Sequence, residues 1–128
     1  MANGRMQLSQ SGFNILYKVM NELELQEKRP EALRVAFAKG ITDTQASLEI
    51  PKRNSSSFTI PAGVIAKEDE YLLYKHLIID KVQRQLNTKE IDTYMLHFIE
   101  HGLEIMNQEI CTLSQMDNYI LYLAKKHS

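Results

Sequence analysis

Residues Arg5-Met6-Gln7-Leu8-Ser9 form a short alternating run that leads straight into helical patterns. Alternation places Arg5, Gln7 and Ser9 on one side of an extended chain, and Met6 and Leu8 on the other. A lone strand leaves its backbone polar groups unpaired. It therefore needs a partner, and a second chain is the expected source. The start of the chain is restricted to strand, helix, turn, helix.

The helical patterns follow in order. Ser9 or Ser11 suits the cap of a first helix. Phe13, Leu16, Met20 and Leu23 then recur at helical spacing, with Ile15 and Val19 widening the stripe. The pattern breaks at Gln26-Glu27-Lys28-Arg29. Pro30 suits the first position of a second helix, where its missing N–H costs nothing. Leu33, Ala36, Phe37 and Ile41 line that helix, and Gly40 is expected to end it in the left-handed conformation. Between 42 and 66, Leu48 and Ile50, then Phe58 and Ile60, alternate with polar residues around a serine-rich turn at 51–57. This reads as a loose hairpin or ordered loop, limited by Pro51 and Pro61.

A third helix is expected over about 67–86, with Glu68, Asp69 and Glu70 at its negative-tolerant end. Tyr71, Tyr74, Ile78, Val82 and Leu86 carry its stripe. Leu72, Leu73, Leu77 and Ile79 make it apolar nearly all round, which predicts a central helix. Asn87 and Glu90 make a capping box for a fourth helix, in which Ile91, Met95, Phe98, Gly102, Ile105 and Ile110 face inward. Gly102 within that stripe predicts a close helix approach. Ser114 with Asp117 starts a short fifth helix, with Met116, Tyr119, Ile120 and Leu123 apolar and Lys125 and Lys126 at its end. The expected fold is a mainly α single domain, a bundle of about five helices with a short amino-terminal strand or extended arm. Its parts are a strand-helix-helix unit at 1–41, an irregular insert at 42–66 and further helices at 67–128.

A chain of 128 residues with 44% hydrophobic and 24% charged residues suits one soluble globular domain. The one cysteine, Cys111, cannot form an internal disulfide and is expected as a small apolar filler late in a helix. With no signal peptide and no long apolar run, a cytoplasmic protein with no membrane segment is expected. Net charge is −1, but residues 1–53 hold eight cations against six carboxylates, a net +2, leaving −3 for the remainder. That asymmetry permits a DNA-facing side.

Few residues suggest chemistry. His97-Phe98-Ile99-Glu100-His101 matches the H-x-x-E-H pattern of inverted zinc peptidases. A catalytic zinc needs a third protein ligand on a substantial scaffold. The expected reading is instead a solvated face with the histidines paired to Glu100 or Glu104. Tyr71 and Tyr74 read as core tyrosines whose hydroxyls reach a partner. No glycine-rich phosphate loop or C-x-x-C occurs. Catalytic residues, metal ligands and cofactors are therefore not expected. Lys28 and Arg29, with Arg34 one turn after Pro30, suit phosphate contacts at a helix start, or an ordinary solvated turn. Lys52 and Arg53 suit a basic loop tip that tracks a DNA backbone, or simply a charged loop. Arg5 and Gln7 have the side chains that read guanine and adenine, or that sit on a solvated edge.

Taken together, Arg5-Met6-Gln7-Leu8-Ser9, then Ala32-Leu33-Arg34-Val35-Ala36-Phe37-Ala38, Phe58-Thr59-Ile60-Pro61, Glu70-Tyr71-Leu72-Leu73-Tyr74 and His97-Phe98-Ile99-Glu100-His101-Gly102-Leu103 resemble, in order and spacing, the DndE family of DNA sulfur-modification proteins. The resemblance implies a small helical protein that forms a homo-oligomer such as a tetramer. It implies binding to DNA, nicked duplex above all, inside a complex that replaces a non-bridging phosphate oxygen by sulfur. The sulfur chemistry would belong to partners: a cysteine desulfurase, an iron–sulfur protein and an ATPase-like component. Family members bind DNA through surface lysines, and Lys18, Lys28 and Lys39 lie in the comparable amino-terminal helical segment. The turn Gln26-Glu27-Lys28-Arg29 departs from the family, where a glycine-containing turn is expected.

Two other readings fit the same residues. Strand-helix-turn-helix is also the order of ribbon-helix-helix regulators and antitoxins, whose paired strands enter the major groove. A docking module of a DNA defence system, with no DNA affinity of its own, is the other.

Overall fold

A computed structural model describes residues 5–25, 28–43, 48–49, 55–61, 68–112 and 119–126, with backbone alone for 5, 6, 55–61 and 68. The protein is mainly α. The described elements are β1 (Arg5–Ser9), α1 (Gln10–Glu22), α2 (Arg29–Thr42), β2 (Ser55–Pro61), α3 (Glu68–Val82), α4 (Thr88–Thr112) and α5 (Tyr119–Lys126).

The strand β1 forms as its alternation predicts, but its partner comes from the same chain. It pairs antiparallel with β2, with Arg5 opposite Pro61, Met6 opposite Ile60, Gln7 opposite Thr59 and Ser9 opposite Ser55. This corrects two expectations. A second chain is not what β1 pairs with. The expected hairpin partner also changes: β2, which holds Phe58 and Ile60, pairs with the amino-terminal strand, while Leu48 and Glu49 are a bend and Ile50 lies outside the described residues. Ser55, Ser56 and Ser57, expected in a turn, are in the strand. The register shifts between Gln7 and Ser9. An irregularity there breaks the alternation, so Gln7 is exposed while Leu8 and Ser9 are both buried.

Ser9 ends β1 and caps α1. Its backbone is extended, and its Oγ accepts the Gly12 N–H at 2.9 Å. Leu16, Val19 and Met20 are buried from α1, with Phe13 and Leu23 packed at the margin. The helix closes on Glu24, whose φ of 59° is left-handed. Leu25 N–H bonds to Met20 O at 2.8 Å and Glu24 N–H to Asn21 O at 3.2 Å, the two hydrogen bonds of a Schellman cap.

Pro30 lies in the first turn of α2, as its ring favours. Gly40 does not end that helix, which continues to Thr42 with no glycine at positive φ. Gly40 instead faces Gly102. A Cβ on Gly102 would strike the Ala36 carbonyl, 2.6 Å from its carbon and 3.0 Å from Gly40 N. A Cβ on Gly40 would strike the Phe98 carbonyl, 2.8 Å from its carbon and 3.1 Å from Gly102 N. The two glycines therefore bring α2 and α4 together backbone to backbone, the close approach that Gly102 predicts.

The central helix is α4, not α3. Ile91, Met95, Phe98, Ile99, Leu103 and Met106 are fully enclosed, and α4 packs against α1, α2, α3 and β1. Ile105 and Ile110 sit only at its margin. It starts with the expected capping box: Glu90 N–H bonds to Asn87 Oδ1 at 2.9 Å and Asn87 N–H to Glu90 Oε1 at 3.1 Å. α3 is peripheral and shorter than expected, and Gln83 turns at a φ of 66° just past its end. It buries Tyr71 and Ile78 and stacks Tyr74 on Phe37 at 4.4 Å, but leaves Leu72, Leu73 and Leu77 facing outward. A helix on the flank needs only one apolar stripe, so the leucines outside that stripe stay exposed.

Candidate nucleic-acid interface

The buried polar groups decide which charges are left for a ligand. Glu100, 3% exposed, accepts from both the Ser9 N–H and the Ser9 Oγ–H at 3.0 Å. Its carboxylate lies where a Cβ on Gly12 would be, so glycine is needed there. This contact ties the strand–helix junction to the middle of α4. Asp92 accepts the Tyr71 hydroxyl at 3.0 Å. Burial first, then that hydrogen bond and the Asp92 charge, push the Tyr71 hydroxyl far above its usual pKa. Tyr71 is thus the expected core tyrosine with a partnered hydroxyl.

Glu109 is the third buried carboxylate. It accepts from Lys39 Nζ at 2.8 Å, Lys126 Nζ at 2.6 Å and the Tyr119 hydroxyl at 2.8 Å. Burial would raise its pKa, but the hydrogen bonds from Lys126, Lys39 and Tyr119, with the Lys39 charge, outweigh it and hold the carboxyl below its usual range. Burial and the same contact push Tyr119 up, and the Glu109 hydrogen bond raises Lys126. The cluster fastens α5 to α2 and α4.

The face carrying His97 and His101 is not solvated. His97 is 4% exposed and packed between Tyr94 and Phe98. His101 Nε2 lies 2.7 Å from Asp43 Oδ2, so it pairs with the end of α2 and not with Glu100 or Glu104. This face differs from the expected one because Glu100 and His101 meet partners from distant segments, Ser9 and Asp43, while aromatic rings enclose His97. Among the described residues no three His, Cys, Asp or Glu side chains converge as a metal site. Cys111 is exposed rather than an apolar filler, with Lys18 Nζ 3.3 Å from its sulfur.

The residues expected to contact DNA separate into groups. Lys28 and Arg29 are exposed at the start of α2, and among the described residues no side chain caps that end. Lys18 is exposed on α1 and donates to the neutral Asn107 amide at 3.0 Å, which leaves its charge uncompensated by that contact. Arg34 is half-buried, 3.8 Å from Glu31 and 3.7 Å from Glu70. Lys39 is held inside the Glu109 cluster with its side chain 9% exposed, so its charge is already neutralised by a buried carboxylate. Gln7 is exposed beside the two-stranded ribbon, and Arg5 lies in the ribbon's first pair. Lys52 and Arg53 lie outside the described residues. The structure thus brings Lys28 and Arg29 together, keeps Lys18 available on the neighbouring helix, and withdraws Lys39.

The chain matches no protein-family model, no characterised protein and no solved structure. Among the described residues no helix is long and apolar enough to cross a membrane.

Proposed function

We propose that this protein is a non-catalytic DNA-binding subunit of a DNA phosphorothioate-modification system, acting in the cytoplasm as a homo-oligomer that favours nicked duplex. The reading draws on the ordered resemblance to the DndE family. The observation that carries it onto the fold is the basic first turn of α2, where Lys28 and Arg29 are exposed beside Pro30. A helix start offers backbone N–H groups and positive dipole potential to a phosphate, and two flanking cations add to both. Lys18 adds a further exposed cation on α1, while Glu31 and Glu70 lie near Arg34. A modest positive surface suits backbone contacts, which fix position without reading sequence.

A nick lowers the cost of bending duplex against such a surface. Sulfur insertion would be carried out by partner proteins. The pairing of β1 with β2 gives no support to an operator-binding dimer whose ribbon is shared between chains. Titration of nicked and intact duplexes of one sequence tests the proposal. Tighter binding to the nicked form, indifferent to sequence, supports it. Equal affinity for both, or dependence on one operator sequence, refutes it.

A further inference from the structure

Helix α5 has eight residues, too few to stay helical by itself in water. Its form depends on docking. Burial supplies part of that: Tyr119 is enclosed, and Tyr122 and Leu123 pack at the margin of the core, but Ile120 and Leu121 are 38% and 61% exposed. The polar attachment converges on one group. Tyr119, the first residue of α5, donates its hydroxyl to Glu109 Oε1, and Lys126, the last, donates to Glu109 Oε2. Both ends of the helix are thus fastened to a single carboxylate of α4. Lys39 of α2 donates to the same Oε2. Beside this cluster, Val35, Ala38, Lys39 and Thr42 of α2 line an apolar groove of about 520 Å³ whose other lining residues, Leu123 and Ala124, belong to α5.

We propose that α5 is a strap held shut by Glu109: neutralising this carboxylate releases α5 as a unit from a bundle that stays folded, and uncovers Lys39 with the Val35, Ala38 and Thr42 face of α2. Among the described residues, the charged and titratable groups facing Glu109 are Lys39 from α2 and Lys126 and Tyr119 from α5, with the Tyr122 hydroxyl 3.5 Å from Lys126 Nζ. A neutral carboxyl attracts neither ammonium, so both charge-assisted hydrogen bonds weaken at once. The attraction that offsets the desolvation of Lys39, whose side chain is 9% exposed, goes with them. Release of α5 gives water access to that ammonium, whereas parting α2 from α4 would open the core that holds Ala36, Phe37, Phe98 and Ile99. The strap is therefore the element that yields first.

The direction in pH follows from the same contacts. Glu109 is held below its ordinary value of 4.5, so the strap is shut above that pH and opens as pH falls through the lower folded value. Tyr119 and Lys126 are both pushed up and keep their protons throughout. The device uses none of the residues at the start of α2 and stands or falls independently of the DNA-binding reading.

Hydrogen exchange of the full chain, read by mass spectrometry and expressed as protection factors, tests the strap. In the wild type, protection of α5 is expected to fall about tenfold or more as pH drops below 4.5, while α4 keeps its own. Glu109→Gln is expected to show the lowered α5 protection already at neutral pH, with no further step in acid. Limited acetylation at neutral pH gives a second reading. Lys39 should react slowly in the wild type and approach the rate of exposed Lys28 in Glu109→Gln. Circular dichroism checks that this variant is folded, and should it not fold, the wild-type pH series decides alone. Loss of α5 and α4 protection together, α5 protection that ignores acid, or a folded Glu109→Gln protein in which Lys39 stays unreactive would each overturn the proposal.

Discussion

Replacing Gly102 with alanine tests the packing of α2 on α4 with a single methyl group. In an unstrained helix the change is favourable by about 1 kcal/mol, because alanine is the better helix former. Here the new Cβ would stand 2.6 Å from the Ala36 carbonyl carbon and 3.0 Å from Gly40 N. Ordinary carbon contacts lie near 3.5–4.0 Å, so the helices must part by roughly 1 Å. The obstruction is backbone, and no side-chain rotation relieves it. Parting the helices loosens Ala36, Phe37, Phe98 and Ile99, all enclosed at or beside this crossing. A gap of that size forfeits about a quarter to a half of each contact. Overpacking of this kind costs up to about 3 kcal/mol. With the propensity gain set against it, the net loss is about 2 kcal/mol, or roughly 8 °C in Tm for a chain of this size. Urea unfolding followed by circular dichroism reads it as a lower midpoint with unchanged slope. Gly40→Ala should behave alike. The double variant should lose less than the two single losses combined, since helices already parted accommodate the second methyl. A Gly102→Ala protein as stable as the wild type, or more so, would refute the backbone-contact account.

Other perturbations give equally specific outcomes. Glu109→Gln leaves Lys39 buried without its counter-charge and should cost about 3 kcal/mol. The Glu109 carboxyl is held below its ordinary value of 4.5. Its contribution is therefore complete above that pH and disappears as pH falls through the lower folded value. The wild type should lose this contribution in acid while Glu109→Gln does not, which parallel urea titrations at several pH values would reveal; identical acid profiles would contradict the cluster. Glu24→Gly should stabilise the protein by about 0.5 kcal/mol, since Glu24 holds a left-handed φ and glycine's gain there is offset in part by its unfolded-state entropy. A lower Tm for that variant would show that the Glu24 side chain does more than tolerate the turn.

Much of the helical layout was legible because its signals are local. Ser9 caps three residues ahead, Pro30 sits in a first turn, and Asn87 with Glu90 needs only adjacent positions. Gly102 was readable as a close approach, yet its counterpart Gly40 resembled a helix terminator, since nothing nearby shows which glycine faces another helix. The ranking of α3 over α4 failed for a related reason. Leucines all round α3 imitate a buried helix, while Asp92, His97, Glu100 and Glu109 make α4 look half-solvated. The burial of the three carboxylates depends on Tyr71, Ser9, Lys39 and Lys126, partners that lie outside α4. The same non-locality hid the β1–β2 pairing and withdrew Lys39 from the candidate interface, whereas Lys28 and Arg29 beside Pro30 were readable from adjacent positions.

The central claim is most directly tested by the salt dependence of nicked-duplex binding, compared between the wild type and Lys28→Ala/Arg29→Ala. Each phosphate contact contributes close to one unit to the slope of log affinity against log salt. The account predicts a steep wild-type slope that falls by about two in the double variant, with affinity reduced alike on every sequence. A slope near zero in the wild type, or one unchanged by removing both cations, would contradict it.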